Sequence, residues 1–462
     1  MYQITINDKK YYIEDGTLLS EFLMKQGIQV DHPCGGSGTC GKCKVLVNGK
    51  EERSCKYKVT SDISVRIPDR GNVYSVTGVE ECESANSASA LVLDLGTTTL
   101  AMGLISSEEQ KVIRTITATN PQRKYGADVI SRITHCQKYG VKKLQEAVVS
   151  CINQMILDLE GEEQLGTLYV SGNTIMLHLL LGEDCSGMGM SPYTPVFLES
   201  RTVSAKNIGV FGVQEIVTLP CISSFVGADL VAGLNCVEMP KKGAYSFLID
   251  LGTNAEIILF SDEDLLCASA AAGPCFEGVN ISSGMSATKG AIYSYTYPKE
   301  YKTIENAKAK GICGTGLIDV IAELLKHQVI DASGYMEEAF EVAEGIFLEP
   351  KDVRQYQLAK SAVCAGVLTL MNARDLSFEQ IDKVYISGGF SASINQENAI
   401  RTGLFPKEFA SKCIAINNSS FLGTVKYACG HDVFHNHIEY AEYMDLSLNT
   451  FFAELFMKKM MF

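Results

Sequence analysis

One string occurs twice in this chain. LVLDLGTTTLAMGLI fills residues 91–105, and FLIDLGTNAEIILF fills residues 247–260. At an offset of 156, Asp94, Leu95, Gly96 and Thr97 match Asp250, Leu251, Gly252 and Thr253. Each copy reads as an apolar strand, a tight Asp-x-Gly-Thr turn and a second apolar strand, which is a β-hairpin with a polar tip. Two copies at this long period imply two related halves rather than a solenoid. Glycine and hydroxyl residues at such a tip offer N–H and O–H donors to phosphate oxygens. An aspartate would repel phosphate directly, so it needs a Mg²⁺ between them, held through bound waters. Two facing tips would grip a polyphosphate from both sides.

A third element, KVYISGGFSAS at residues 383–393, runs a strand into Gly388 and Gly389 and then into a polar stretch suited to a helix start. Glycines there let a flat adenine ring lie against backbone, and a helix N-terminus favours anionic groups. Gly314, Thr315 and Gly316, inside GICGTGLID, open another glycine-rich helix and add a further candidate nucleotide contact. With the two hairpins, these elements resemble the actin, sugar-kinase and heat-shock chaperone ATPase superfamily (ASKHA).

The N-terminal segment carries different chemistry. Cys34, Cys40, Cys43 and Cys55 are separated by five, two and eleven residues, with glycines at 35, 36, 38 and 41 filling the gaps. Thiolates that ligate two irons must converge, and a glycine-rich loop can fold tightly enough to bring them together. A zinc site would use two short cysteine pairs, and three cysteines crowd one loop here. A disulfide framework does not suit a reducing compartment. The loop also meets the glycine and lysine positions of a nucleotide P-loop, but Cys43 stands where Ser or Thr must hold Mg²⁺, and a strand-like KVLV follows instead of a helix. YQITIND and KKYYIED read as a hairpin, TLLSEFLMKQG as an amphipathic helix and KVLVNGK as another strand. The segment resembles the β-grasp 2Fe–2S ferredoxins, which implies that Cys34, Cys40, Cys43 and Cys55 ligate the cluster.

Composition bounds the rest. The 462 residues are 46% hydrophobic and 20% charged, enough for packed cores in several domains. Forty basic residues against fifty-four acidic ones leave a net charge of −14, which argues against a duplex nucleic-acid binder. The greasiest run, residues 174–181, is far shorter than the roughly 20 residues of a membrane helix. Residues 1–10 lack a secretory profile, and sixteen cysteines point to a reducing compartment, so the expected location is cytoplasmic. The organisation that follows is a β-grasp ferredoxin (1–74), a polar linker (75–90) and a two-lobed α/β ATPase with duplicated βαβ subdomains (91–245 and 246–462), whose C-terminal helices return to the first lobe.

Joined in one chain, the two parts resemble the ATP-dependent reductive activators of corrinoid enzymes. The likeness is carried by SGNTIMLHLL, SPYTPVF, SSFVGADLVAGL, IDLGTNAEI, AAGPCFEGVNISSGMSATKGAI, GICGTGLIDV and SGGFSASIN. It implies a soluble enzyme whose cluster takes an electron from a low-potential donor. The electron passes to a corrinoid methyl-carrier protein that has slipped from Co(I) to inactive Co(II), with ATP and Mg²⁺ driving the transfer. It also implies that Asp94, Gly96, Thr97, Thr98 and Thr99 form the first phosphate motif and Asp250, Gly252, Thr253 and Asn254 the second. Gly388 and Gly389 contact the adenosine, and Asp94 and Asp250 position Mg²⁺ and the attacking water. An activator of another low-potential acceptor and a small-molecule kinase with a regulatory cluster are the rival readings. Such activators often have an extra middle domain after a longer linker. Only about twenty residues intervene here, so a middle domain is expected to be missing. A flexible linker of that length spans roughly 25 Å and would let the ferredoxin swing.

Other features read as structural. His431, His435 and His437, near Cys429, read as a solvated surface stretch rather than a metal site. Cys275 and Cys313 read as small buried hydrophobes. The tail NTFFAELFMKKMMF packs on the body or pairs with a second copy in a homodimer.

Overall fold

A computed structural model of the chain describes residues 1–6, 9–26, 28, 43–66, 79–82, 89–106, 108–126, 128–160, 165–389, 393–432 and 434–462. Near the N-terminus, β1 (Tyr2–Ile6), β2 (Lys9–Ile13), β3 (Lys44–Val47), β4 (Lys50–Arg53) and β5 (Ile63–Arg66) form one sheet in the order β2-β1-β5-β3-β4. Alternating Ile4, Ile6, Val45, Val47, Ile63 and Val65 turn one face of it onto Leu19, Phe22 and Leu23, from α1 (Leu19–Lys25). Asn48 and Gly49, with φ of 50° and 81°, supply the left-handed pair that a two-residue hairpin between β3 and β4 requires.

The duplication becomes two sheets. The first contains β6 (Ala90–Leu95), β7 (Thr99–Ser106), β8 (Lys111–Thr119), β9 (Leu165–Gly172), β10 (Arg201–Ser204) and β11 (Val213–Thr218), ordered β10-β11-β9-β6-β7-β8. In the second, β12 (Tyr245–Leu251), β13 (Ala255–Phe260) and β14 (Leu265–Ala270) repeat the antiparallel meander of β6–β8. Two smaller sheets intervene along the chain: β15 (Ala291–Thr296), β16 (Glu300–Thr303) and β17 (Gly311–Ile312), then β18 (Phe340–Ala343) and β19 (Ile346–Leu348). The second large sheet is completed by β20 (Ile381–Ser387), β21 (Cys413–Ala415) and β22 (Glu442–Tyr443), ordered β21-β20-β12-β13-β14-β22. Strand β20 runs parallel to β12 as β9 does to β6. Strands buried on both faces read as near-continuous apolar runs. ALVLDL and YSFLIDL obey that rule except at their aspartates and at Ser246.

Helices fill the layers. Beside the first sheet lie α2 (Val129–Tyr139), α3 (Lys142–Glu160), α4 (Thr174–Leu181) and α5 (Ala205–Ile208). On the second sheet lie α7 (Gly314–Lys326), α8 (Pro350–Ala373) and α9 (Gln396–Arg401). Between the two sheets run α6 (Ala228–Leu234) and α10 (Ser419–Ala428). Leu230 and Leu234 of α6 pack on Leu248, Ile258 and Phe260, while Phe421 and Val425 of α10 pack on Ala90, Val92 and Ile105. The two helices touch backbone to backbone: a β-carbon on Gly423 would sit 1.8 Å from the Ala232 carbonyl oxygen. After α11 (His435–Ile438), α12 (Thr450–Lys458) lays Phe452 and Phe456 against the α8 side of the core.

Two expectations are corrected. Residues 79–82, inside the span read as flexible linker, are tied to β8. There the Cys82 N–H donates to Val112 O (2.9 Å), Glu81 Oε1 accepts from the Thr115 N–H and hydroxyl, and Val79 joins an apolar cluster. His437, read as solvated, is buried and bonds the Asp262 carbonyl through Nε2, because Phe434 packs into the core and carries the following turn inward. Among the described residues, no helix is long and apolar enough to cross a membrane, and no group of three metal-ligating side chains assembles.

Candidate functional site: two hairpin tips and a cysteine pair

The first tip joins β6 to β7 through Gly96, Thr97 and Thr98. Only glycine fits at 96, since a β-carbon would lie 2.4 Å from the Thr99 carbonyl oxygen. The tip is held from behind by two residues that no sequence motif announced. Asn120 donates its Nδ2–H to Gly96 O (2.9 Å) and its backbone N–H to Thr98 O (2.9 Å). Arg132 donates from Nη2 to Thr97 O (2.6 Å). With its carbonyls engaged below, the tip leaves Thr98 and Thr99 exposed.

The second tip, Gly252, Thr253 and Asn254, closes with a hydrogen bond from Gly252 N to Asn254 O (2.8 Å). Thr253 Oγ1 donates to Glu277 Oε1 (2.9 Å), so the glutamate of the turn after β14 shapes this tip. Burial raises the Glu277 pKa, while Thr253 and the charge of Arg123 lower it. Arg123 belongs to the turn after β8, in the other half of the duplication. The two tips therefore share one electrostatic environment.

The aspartates occupy equivalent positions. Asp94 is in register with Ser171 of β9, and Asp250 with Ser387 of β20. Ser387 Oγ donates to Asp250 Oδ2 (2.6 Å); Asp94 Oδ1 instead accepts from Ser420 of α10 (2.9 Å), which also bonds Ser171. Burial raises both carboxyls, that of Asp94 to about 6 with a further push from Asp250. Asp229, at the start of α6, is raised to about 7 by burial and by the charges of Asp250 and Asp94. Glu256 is raised by burial and then by Asp250 and Asp229. Like charges disfavour one another's ionisation, so these carboxyls lie within reach of one another's fields. Sequence reading picked two of these four carboxylates.

Each serine is followed by a glycine pressed on the strand beside it. A β-carbon on Gly172 would meet Leu95 O at 2.8 Å, and one on Gly388 (φ 112°) would meet Leu251 O at 2.3 Å. Ser171-Gly172-Asn173 is thus the first-half counterpart of Ser387-Gly388-Gly389, a repeat visible in VSGN and ISGG but easily passed over. Gly389 is exposed at the end of β20, beside the second tip's own strand. Gly314, Thr315 and Gly316 are buried, and β-carbons on the glycines would meet Phe276 O and Ile292 O at 2.1 Å each. Their small size serves the close packing of α7. Cys275 and Cys313 are buried thiols.

Cys34 and Cys40 lie outside the described residues. Cys43 and Cys55 are buried, with sulfurs 3.1 Å apart and no disulfide between them. That pair, presented by the start of β3 and the turn after β4, fits two ligands of one iron.

Comparison with known proteins agrees with this layout. A model of the 2Fe-2S iron-sulfur cluster binding domain matches residues 4–65, the RACo middle region matches 89–242, and the C-terminal ASKHA domain of RACo matches 244–462. The expectation of a missing middle domain is corrected: the family's middle region is the stretch that builds the first six-stranded sheet, not an insert before it. The corrinoid activation enzyme RamQ of Eubacterium limosum is 26% identical over 379 residues, 73% of this chain and 63% of that protein. This chain thus spans less than two thirds of RamQ's length. The [Co(II) methylated amine-specific corrinoid protein] reductase of Methanosarcina barkeri is 28% identical over 371 residues, 71% of this chain and 68% of that one. A solved structure of a reductive activator for corrinoid,iron-sulfur protein aligns with 100% of this chain and 98% of its own, at a TM-score of 0.71 and 26% identity. With the iron–sulfur domain followed by both RACo regions in order, the chain belongs to the RACo family.

Proposed function

We propose that the chain couples ATP hydrolysis to delivery of one electron onto a corrinoid methyl-carrier protein, returning its cobalt from Co(II) to Co(I). The observation that carries this reading is the convergence of Asp94 and Asp250 from two equivalent hairpins, each raising the field at a shared group of carboxylates, in a chain that also has a cysteine-rich ferredoxin segment.

In this reading Cys34, Cys40, Cys43 and Cys55 hold the 2Fe–2S cluster. When bound, the cluster supplies single-electron chemistry. Gly96, Thr97, Thr98 and Thr99 and Gly252, Thr253 and Asn254 grip the polyphosphate, and Gly388 and Gly389 take the adenosine. Asp94 and Asp250 hold Mg²⁺ through water. Asp229, poised near neutral pH, suits proton transfer from the attacking water. Segments 1–74, 75–90, 91–245 and 246–462 would be ferredoxin, linker and two ATPase lobes, in a cytoplasmic protein fed by a low-potential donor. Nucleotide does work only if it binds two conformations differently and the partner senses which is present.

The test is anaerobic mixing of reduced protein, ATP and a Co(II) corrinoid carrier. The Co(I) absorption band should grow only when all three are present. Growth at the same rate without ATP would refute the coupling.

A further inference from the structure

Among the described residues Arg132 is the largest fully buried side chain, at 0% exposure. Its guanidinium donates to four neutral acceptors: Nε to Gly126 O (3.0 Å), Nη1 to Gln122 Oε1 (3.2 Å) and Met176 Sδ (2.9 Å), and Nη2 to Thr97 O (2.6 Å). Among the described residues no carboxylate lies within ion-pair distance of it. Asp128 acts on it only through space, and the nearby Arg123 opposes it with a like charge. Burial lowers its pKa to about 10, so it stays charged at neutral pH. An isolated buried cation is expensive to keep unless something nearby needs its field. The only one of its acceptors in the candidate site is the carbonyl of Thr97, at the centre of the first tip.

We propose that Arg132 is a positioning residue for the nucleotide's phosphates. Its fork fixes the Thr97 peptide, and its unneutralised charge lies behind the tip on the side away from the ligand. The chain is built to present it. Asn120 caps the turn that places Gln122, the Asp128–Ser131 capping box starts α2, and glycine at 126 admits the close contact with Ser131 and the Arg132 backbone. This inference rests on the nucleotide reading above and adds to it which residue sets phosphate affinity.

The measurement is equilibrium binding of ATP, ADP and adenosine to the full chain, comparing wild type with Arg132→Met, Arg132→Lys and Asn120→Ala. Arg132→Met should weaken ATP binding about tenfold or more, because both a full charge behind the tip and the hydrogen bond that fixes the Thr97 peptide are lost. ADP should weaken less and adenosine not at all, and Arg132→Lys should fall between wild type and Arg132→Met. Asn120→Ala, which removes a neutral tether from the same tip, should not discriminate by phosphate number. Wild-type ATP affinity in Arg132→Met, or equal losses for ATP and adenosine, would overturn the proposal. If Arg132→Met fails to fold, Arg132→Lys decides: several-fold weaker ATP binding with unchanged adenosine supports it, and wild-type affinity overturns it. A wild-type protein that binds none of the three ligands would instead bring down the nucleotide site itself.

Discussion

Ser387 Oγ donates a 2.6 Å hydrogen bond to Asp250 Oδ2 between adjacent parallel strands. That bond favours the ionised carboxylate, whereas burial favours the neutral acid and is the larger effect. Ser387→Ala should therefore push the Asp250 pKa higher still. ATP turnover measured against pH should show its acid limb moved to higher pH, with the rate at high pH little changed. An unmoved limb would mean that Asp250 does not titrate in the rate-determining step.

Asp250→Ala should lower ATP turnover by roughly a hundredfold or more, as expected when a group aimed at the reacting phosphate is removed. The visible spectrum of the iron–sulfur centre should not change, because Cys43 and Cys55 flank strands of a separate sheet. A variant that loses iron as well would contradict the division into two modules.

The pKa shifts also fix a sign for stability. Burial, reinforced by neighbouring carboxylates, pushes Asp94 from the ordinary 3.8 up to about 6 and Asp229 up to about 7 in the folded chain. Between pH 4 and 7 the folded state holds protons that the unfolded chain has released, so the contribution is complete below the unfolded value and is lost as pH rises through 6 and 7. The nucleotide-free protein should have a higher Tm at pH 5 than at pH 8 from this source, and Asp229→Asn should flatten that dependence. Mg²⁺ with nucleotide should restore more Tm at pH 8 than at pH 5. ATP turnover runs the other way, rising from pH 5.5 to 7.5 as the carboxylates ionise.

Gly388→Ala places a methyl 2.3 Å from the Leu251 carbonyl oxygen at a φ of 112°. A left-handed conformation forced on alanine costs roughly 1–3 kcal/mol before the clash is counted. Tm should fall clearly. Gly389→Ala, with no described residue within 4 Å of the added carbon, should leave Tm nearly unchanged.

The repeat, its two hairpins and the first β-grasp strands were legible because each is written in local periodicity, as apolar runs broken by one Asp. KVLVNGK, read as one strand, instead ends at Val47 and turns at Asn48-Gly49. Asp229, Glu256, Asn120 and Arg132 were not legible. Asn120 and Arg132 act on the first tip from other elements, and Asp229 and Glu256 gain their shifts from burial and from carboxylates on neighbouring elements, none of which local periodicity records. Arg132 also carries a misleading signature, since an arginine in a polar helix start reads as solvent-facing. The Gly314–Gly316 glycines, read from the sequence as a nucleotide contact, are also demanded by packing, since Phe276 and Ile292 backbone fills the space that side chains would take. Linker composition misled for residues 79–82 because polarity does not reveal that Glu81 can pair with an exposed sheet edge.

The crossing of Gly423 over Ala232 constrains how the halves can move. Backbone meets backbone there, so the two helices cannot come any closer, and the side chain of Ser419 beside Gly233 extends the seam. That seam joins a helix packed on the second sheet to one packed on the first. A methyl at 423, pressed on a carbonyl oxygen 1.8 Å away, should therefore disturb both halves together rather than one helix.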